Sequence, residues 1–398
     1  MEPKKILIGI LVIAAVGIGY YAYTNKDMSK PVPQPDGQVV TSTATSTTDT
    51  TPVKKETVNI GVIVPLTGAQ AAYGQGIKEG LDLSADGINN TPRFGIRINL
   101  IYEDTQSDVK NAVSAAHKLT SKDDVVALIT GLSPVSLAIA PIAEETKTVL
   151  LTMAAGTGKL NTAGPYVFKN DDTSAGVGVA LADEAYKRNL TSVGIVFAQY
   201  NDGVIEYHDA FLKEFGVKGG TVTGAEGFSA DTTDFRTLLQ KLLPSKPSAI
   251  AIMGLQRDCA IAMKQVRELG YKGQILGTVG CDNPLSITTA GAAAEGALII
   301  SNTGEPTAKF TELTQKKYGH DPLRWSAEAF DGLRFLALGL ARAYDGKNPT
   351  TSYKLQNALS LITTFTGEAG EATFDKDGNA HRALHVKEVK NGEIVEVR

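Results

Sequence analysis

From residue 56 onward, short β-branched runs alternate with segments whose apolar residues fall at helical spacing. Val58 to Val64 is an apolar run ended by Pro65, which predicts a buried strand. Ile77, Leu81, Leu83 and Ile88 then predict a helix over 74–90, closed by the polar turn Asn89-Asn90-Thr91-Pro92. Strands are expected at 97–103, 125–129 and 148–152, with a helix at 109–119 and another opening at Ser133-Pro134. The pattern resumes with helices at 180–188, 204–215, 235–243 and 259–269 between strands at 192–197, 221–223, 249–253, 274–278 and 297–300. Helices at 310–318 and 328–344 and a hairpin-like segment at 370–397 complete the chain. Strands alternating with helices imply parallel sheets covered on both faces, with right-handed crossovers. Each block holds about four β/α units, and two similar sheets are a better solution than one very wide one. The expected fold class is therefore α/β, with doubly wound parallel sheets.

The first 55 residues break this pattern. Ile6 to Tyr23 is an uncharged, mostly apolar run of 18 residues, preceded by Lys4 and Lys5 and ending in Tyr20, Tyr21 and Tyr23. At about 1.5 Å per residue it nearly spans a bilayer core of about 30 Å. The lysines place the N-terminus on the cytoplasmic side, and the tyrosines suit the interface. Residues 1–26 are read as a transmembrane anchor, with a cleaved signal peptide as the alternative. Residues 27–55 are rich in Thr, Ser and Pro and lack apolar periodicity, so they read as a disordered tether reaching roughly 30 Å. Either reading of the anchor exports the remainder.

Composition narrows the function. Hydrophobic residues make up 42% and charged residues 21%, enough for a sizeable core. Net charge is −4 with signs interspersed, and aromatics are 7%, so no nucleic-acid surface is expected. Cys259 and Cys281 lack metal-ligand spacing. They either form a disulfide in an oxidising compartment or stay apart as small buried residues. Tyr73-Gly74-Gln75-Gly76 does not give a nucleotide loop, because Pro65-Leu66-Thr67-Gly68 separates it from the strand. No phosphate-loop or nucleophile-elbow motif is present. His117, His208, His320, His381 and His385 are scattered and read as surface residues. Glu206 and His208, two apart, do not share a helix face. Nothing assembles a nucleophile, base and orienter, so no enzyme, metal or cofactor is expected.

The ordered series VNIGVIVPLTG, IYEDTQSD, VVALITGLSPVSLAIAPIAEE, VLLTMAAGTGKL, VGIVFAQYNDG, AIAIMGLQRD, QILGTVGCDNP, AAAEGALI, EAFDGL and GEATFDKDGNAHR resembles the leucine/isoleucine/valine-binding proteins. These belong to the periplasmic-binding-protein type I family of ABC importers. The resemblance covers residues 57 to about 395. It implies two α/β lobes with a ligand cleft between them, lobe one at 56–175 and 303–366 and lobe two at 176–302 and 367–398. It also implies a small polar ligand, an amino acid or amide, and an ABC permease that senses lobe closure. The second reading is a ligand-sensing ectodomain that signals through a partner membrane protein.

In parallel α/β sheets, ligands sit beyond the carboxyl ends of the strands. Ser133 has helix-capping chemistry and Pro134 suits the first helical position, which would aim amides at an anion. The resemblance gives Ser133 a ligand carboxylate, and gives the head group to the backbone at Ala154 and Gly156. Thr157 is the candidate for a hydroxyl that relatives carry at the Gly156 position. Tyr73 and Tyr200 match positions that wall and cover the pocket. Leucine binders of that family place an acid at the position matching Val279. Asp282, Asp258 or Asp202 would have to replace it.

Overall fold

The computed structural model describes residues 56–91 and 95–397. The expected transmembrane segment and the tether lie outside the described residues. Among the described residues, no helix is long and apolar enough to cross a membrane.

The chain begins with β1 (Glu56–Val64), α1 (Ala71–Asn89), β2 (Ile96–Asp104), α2 (Val109–Lys122), β3 (Val125–Gly131), α3 (Ser133–Thr146), β4 (Val149–Met153) and β5 (Val167–Lys169). These strands form one sheet in the order β2-β1-β3-β4-β5, and every pairing is parallel. Inner strands β3 and β4 are mostly apolar and buried along nearly their whole length, as an all-parallel sheet requires. Ala112, Ala116 and Leu119 of α2 and Ile139 and Ala143 of α3 cover one face.

The next stretch runs α4 (Ser174–Lys187), β6 (Ser192–Ala198), α5 (Asp202–Val217), β7 (Thr221–Phe228), α6 (Arg236–Leu242), β8 (Ala249–Met253), α7 (Gln256–Glu268), β9 (Gln274–Gly277), α8 (Pro284–Ala290) and β10 (Leu298–Ser301). Its strands pair as β7-β6-β8-β9-β10, all parallel. The order of the first sheet is thereby repeated strand for strand, which is the weak symmetry visible in the sequence. Each sheet reverses its winding direction between its first and third strands, at β1/β3 and at β6/β8.

The chain then returns to the first sheet with α9 (Ala308–Tyr318), α10 (Ser326–Ala343) and α11 (Ser352–Leu359). Helix α10 packs along α1 so closely that a Cβ on Gly80 would lie 2.0 Å from the Ser326 carbonyl oxygen. A three-stranded antiparallel sheet follows: β11 (Thr364–Gly367), β12 (Gly370–Phe374) and β13 (Ala380–His381). Last come β14 (His385–Lys390) and β15 (Glu393–Glu396), which extend the second sheet antiparallel from β10.

The β11–β12 hairpin lies across the expected boundary. A division at 366/367 would cut the β11–β12 hairpin and give most of it to the second lobe. Instead the Phe374 ring stacks on Phe335 of α10 at 4.5 Å, and Lys169 of β5 bridges to Asn379. The apolar side of the hairpin thus packs on α10, a helix of the segment returning to the first sheet. The cysteine question is also settled: Cys259 of α7 and Cys281, in the turn after β9, form a disulfide with a Cα–Cα distance of 5.3 Å.

Candidate functional site

The two reversal points carry Tyr73 and Ser133, after β1 and β3, and Tyr200, after β6. Tyr73 lies on the first turn of α1. It is held there because Gly74 lets the helix approach the Pro65 carbonyl, where a Cβ would come within 1.9 Å. The Tyr73 ring stacks on Trp325 with centroids 6.4 Å apart. Its hydroxyl accepts the Gln256 N–H at 3.3 Å, so β1 chemistry reaches the start of α7 in the second half. Tyr200 follows β6 and donates to Asp258 Oδ2 at 2.8 Å, while that same oxygen accepts the Leu255 N–H at 3.0 Å. Burial, and for Tyr200 also the Asp258 carboxylate, pushes both phenols well above their ordinary range. Both therefore stay neutral.

Ser133 stands one place later in its helix than the sequence suggests. Helix α3 begins at Ser133, and the cap position belongs to Leu132, which offers no side-chain bond. Leu132 takes φ 72 and ψ 141, and that break turns the serine hydroxyl away from the cap. Ser133 Oγ instead lies 3.0 Å from where a Cβ on Gly203 would stand, so a larger residue at that point of α5 would crowd it. Ala154, after β4, has φ 50, and Trp325 has φ 75. Leu132, Ala154 and Trp325 thus adopt left-handed backbone without being glycine. Strain of this kind costs on the order of 1–3 kcal/mol per residue and concentrates at functional sites.

Gly156 and Thr157 have other partners. The Gly156 carbonyl accepts the Ser174 N–H at 2.8 Å. The Thr157 hydroxyl donates to Glu206 Oε1 at 2.5 Å and caps the short 3-10 turn Gly158–Thr162. Glu206, two residues from His208 on α5, is thus the residue that meets Thr157. His208 is not a plain surface residue either, since its ring stacks on Phe197 at 4.0 Å.

Asp282 is not brought to the tyrosines' hydroxyls. Its carboxylate is buried and accepts from Ser301, and Lys387 Nζ lies 3.1 Å and Arg324 Nε 3.6 Å away. Of the other two acids, Asp258 serves Tyr200 and Asp202 pairs with Lys159. Asn283 caps α8 by accepting the Leu285 N–H, the ordinary helix-cap role of such a segment. Beside this cluster a cavity of about 420 Å³ is lined by Asp282, Ile287, Thr303, Arg324, Trp325 and Lys387, among others.

A buried polar seam runs where the chain crosses between sheets. Asn302 donates to Asp171, and Arg324 Nη2 donates to Asn302 Oδ1 at 2.8 Å. Arg324 Nη1 also donates to Glu328 Oε1, and Arg382 Nη2 donates to Asn170 Oδ1 at 3.0 Å. Burial alone would lower the Arg324 pKa, but the carboxylates of Glu328, Asp282 and Asp171 hold it above its ordinary value. Burial pushes Asp171 up to about 6, against the pull of Lys169 and Arg324. A folded-state pKa above the unfolded one means proton binding favours the fold. Asp171's contribution is complete below its unfolded pKa, near 3.8, and is lost as pH rises through about 6. Relative to wild type, Asp171→Asn is therefore expected to gain on the order of 2–3 kcal/mol between pH 4 and pH 8. Urea unfolding at the two pH values measures it, and a constant difference would rule it out.

Arg324, Trp325 and Asp171 carry no sequence motif that marks them, whereas Gln256 follows a strand of the second half. Trp325 had one available signal, being the single tryptophan of the chain. Among the described residues, no group of His, Cys, Asp or Glu could hold a metal ion.

A family model described as periplasmic binding protein matches residues 57–393. The chain belongs to the periplasmic binding protein family. The Leu/Ile/Val-binding protein homolog 2 of Brucella abortus is 27% identical over 345 residues, covering 83% of this chain and 89% of that protein. The leucine-, isoleucine-, valine-, threonine- and alanine-binding protein of Pseudomonas aeruginosa is 24% identical, covering 81% and 87%. A crystal structure of a leucine-binding protein from Thermotoga maritima superposes with a TM-score of 0.79 at 30% identity, covering 86% of this chain and 98% of that one. The type I fold with parallel sheets is thus shared. A solute-binding protein of an ABC transporter from Rhodopseudomonas palustris, solved with 3,4-dihydroxybenzoic acid, has the same fold at 24% identity and a TM-score of 0.78. This periplasmic binding protein belongs to a family of solute binders, not enzymes.

Proposed function

We propose that the chain is the extracytoplasmic receptor of an ABC importer for a small polar solute, an amino acid or amide, captured between the two sheet-bearing halves. The supporting observation is the meeting of Tyr73 with Gln256 across the two reversal points, with Trp325, held in left-handed backbone, stacked on Tyr73. Ser133 and the Ala154 backbone hold the solute's carboxylate or amide, and Tyr73 and Tyr200 cover it. Gly156 shapes the turn beside them. Asp258, already hydrogen-bonded to Tyr200, is better placed than Asp282 to meet an ammonium group. Relatives named for branched-chain amino acids support an aliphatic solute. Residues 6–23 anchor the receptor at the membrane's outer face and residues 27–55 tether it, so that closure is presented to the permease.

A thermal-shift screen of the full chain against aliphatic amino acids, their amides and small aromatic acids tests this. A solute at 100 times its Kd stabilises the folded state by about 2.7 kcal/mol. Ser133→Ala should remove most of the shift at that concentration. The absence of any shift across the panel would refute the transport reading.

A further inference from the structure

The rim of the cleft carries a contact that solute binding does not require. Glu206, on the first turns of α5, takes two donors from the segment after β4: the Thr157 hydroxyl at 2.5 Å and the Gly158 N–H at 2.7 Å. Lys159 pairs with Asp202 just beside it. The two pairs differ in weight. Lys159 and Asp202 are solvent-accessible, and an exposed ion pair contributes little. Thr157 is fully buried, and the Glu206 carboxylate receives a hydroxyl and a backbone amide together, in charge-assisted bonds that need close approach. Lys169, itself fully buried, adds positive charge in the same region. Both Glu206 bonds join the two halves, so separating them by a few ångströms breaks both at once.

We propose that Glu206 is the latch of the cleft, a positioning residue that sets the population of the closed form and through it the affinity for solute. Apparent affinity scales with the fraction of molecules in the binding-competent form, so a residue that never touches the solute can control it. Glu206 also occupies the Thr157 and Gly158 donors. A solute's acid group is thereby directed to Ser133 and Ala154, and a second acid group is kept out of this end of the cleft. The inference rests on the closure reading above.

The test needs no solute. Spin labels on Ser114→Cys of α2 and Lys213→Cys of α5, both exposed, report the distance between halves in the full chain, and the native cysteines are tied in a buried disulfide. Wild type should show a short-distance population that falls at least threefold in Glu206→Ala. Thr157→Val, which removes one donor from the opposite half, should shift the distribution the same way. Glu214→Ala, on the same helix but paired only within the second half, should leave it unchanged. Superimposable distributions for wild type and Glu206→Ala, or a wild type with only the long distance, overturn the latch. If Glu206→Ala opens the chain but no solute is ever found, only the transport reading fails. If a solute binds yet Glu206→Ala changes no distance, only the latch fails.

Discussion

Arg324→Met should destabilise the protein by about 3–5 kcal/mol, the range for breaking a buried ion pair by removing one partner. Its guanidinium donates to Glu328 and to Asn302 and lies 3.6 Å from Asp282, while sitting 3.8 Å above the Trp325 ring. Methionine keeps much of the volume but leaves Glu328 and Asp171 in a buried site without their shared cation. Lys387 still neutralises Asp282, so the loss concentrates on the first two. Arg324→Lys should recover only part of the stability, because an ammonium cannot serve Glu328 and Asn302 in one plane. Urea unfolding of the three proteins measures this. A loss below 1 kcal/mol for Arg324→Met would mean that the seam is not held by this residue.

The second large effect concerns the disulfide. Cys259 and Cys281 are 22 residues apart, and a loop of that size gives about 3 kcal/mol in the chain-entropy account. The paired variant Cys259→Ala/Cys281→Ala should lose about that much. The bond ties the first turn of α7, where Gln256 and Asp258 meet the two tyrosines, to the turn at Val279–Cys281. Its removal should therefore also weaken solute binding. Unfolding of wild type with and without reductant, compared with the variant, checks the assignment. A variant as stable as oxidised wild type would contradict it.

Much of the fold was readable because its strands are buried on both faces. Val58–Val64 and Ala249–Met253 have no polar alternation, and the helices between strands keep their apolar stripes. The pattern failed where burial is one-sided or brief. The edge strand Thr221–Phe228 runs past the predicted three residues, because Gly224, Glu226 and Gly227 dilute its signal. The three-residue strand Val167–Lys169 and the short helix Ser352–Leu359 are too small to show periodicity. The hairpin at 364–374 packs on Phe335, some thirty residues away, and nothing local in the sequence records that contact. The same limit divides the site. Tyr73, Ser133 and Tyr200 follow strand ends, where a parallel sheet places its ligands. Glu206 with Thr157, and Arg324 with Asn302 and Asp282, are pairings between distant segments whose members look like ordinary surface charges. Asp282 could be recognised as an acid near the right turn, but its neutralisation by Lys387 could not.

A solute between Tyr73, Ser133 and Tyr200 would sit beside a reporter that the protein already carries. Trp325 is the single tryptophan, 4% exposed and stacked on Tyr73. The most direct measurement is a titration of its fluorescence in the full chain with L-leucine, L-isoleucine, L-valine, their amides and benzoate. The predicted result is a saturable change in Trp325 emission with at least one of these solutes, at a concentration that rises tenfold or more in Ser133→Ala. Emission that stays constant for every solute, or a response that Ser133→Ala leaves untouched, would contradict the site.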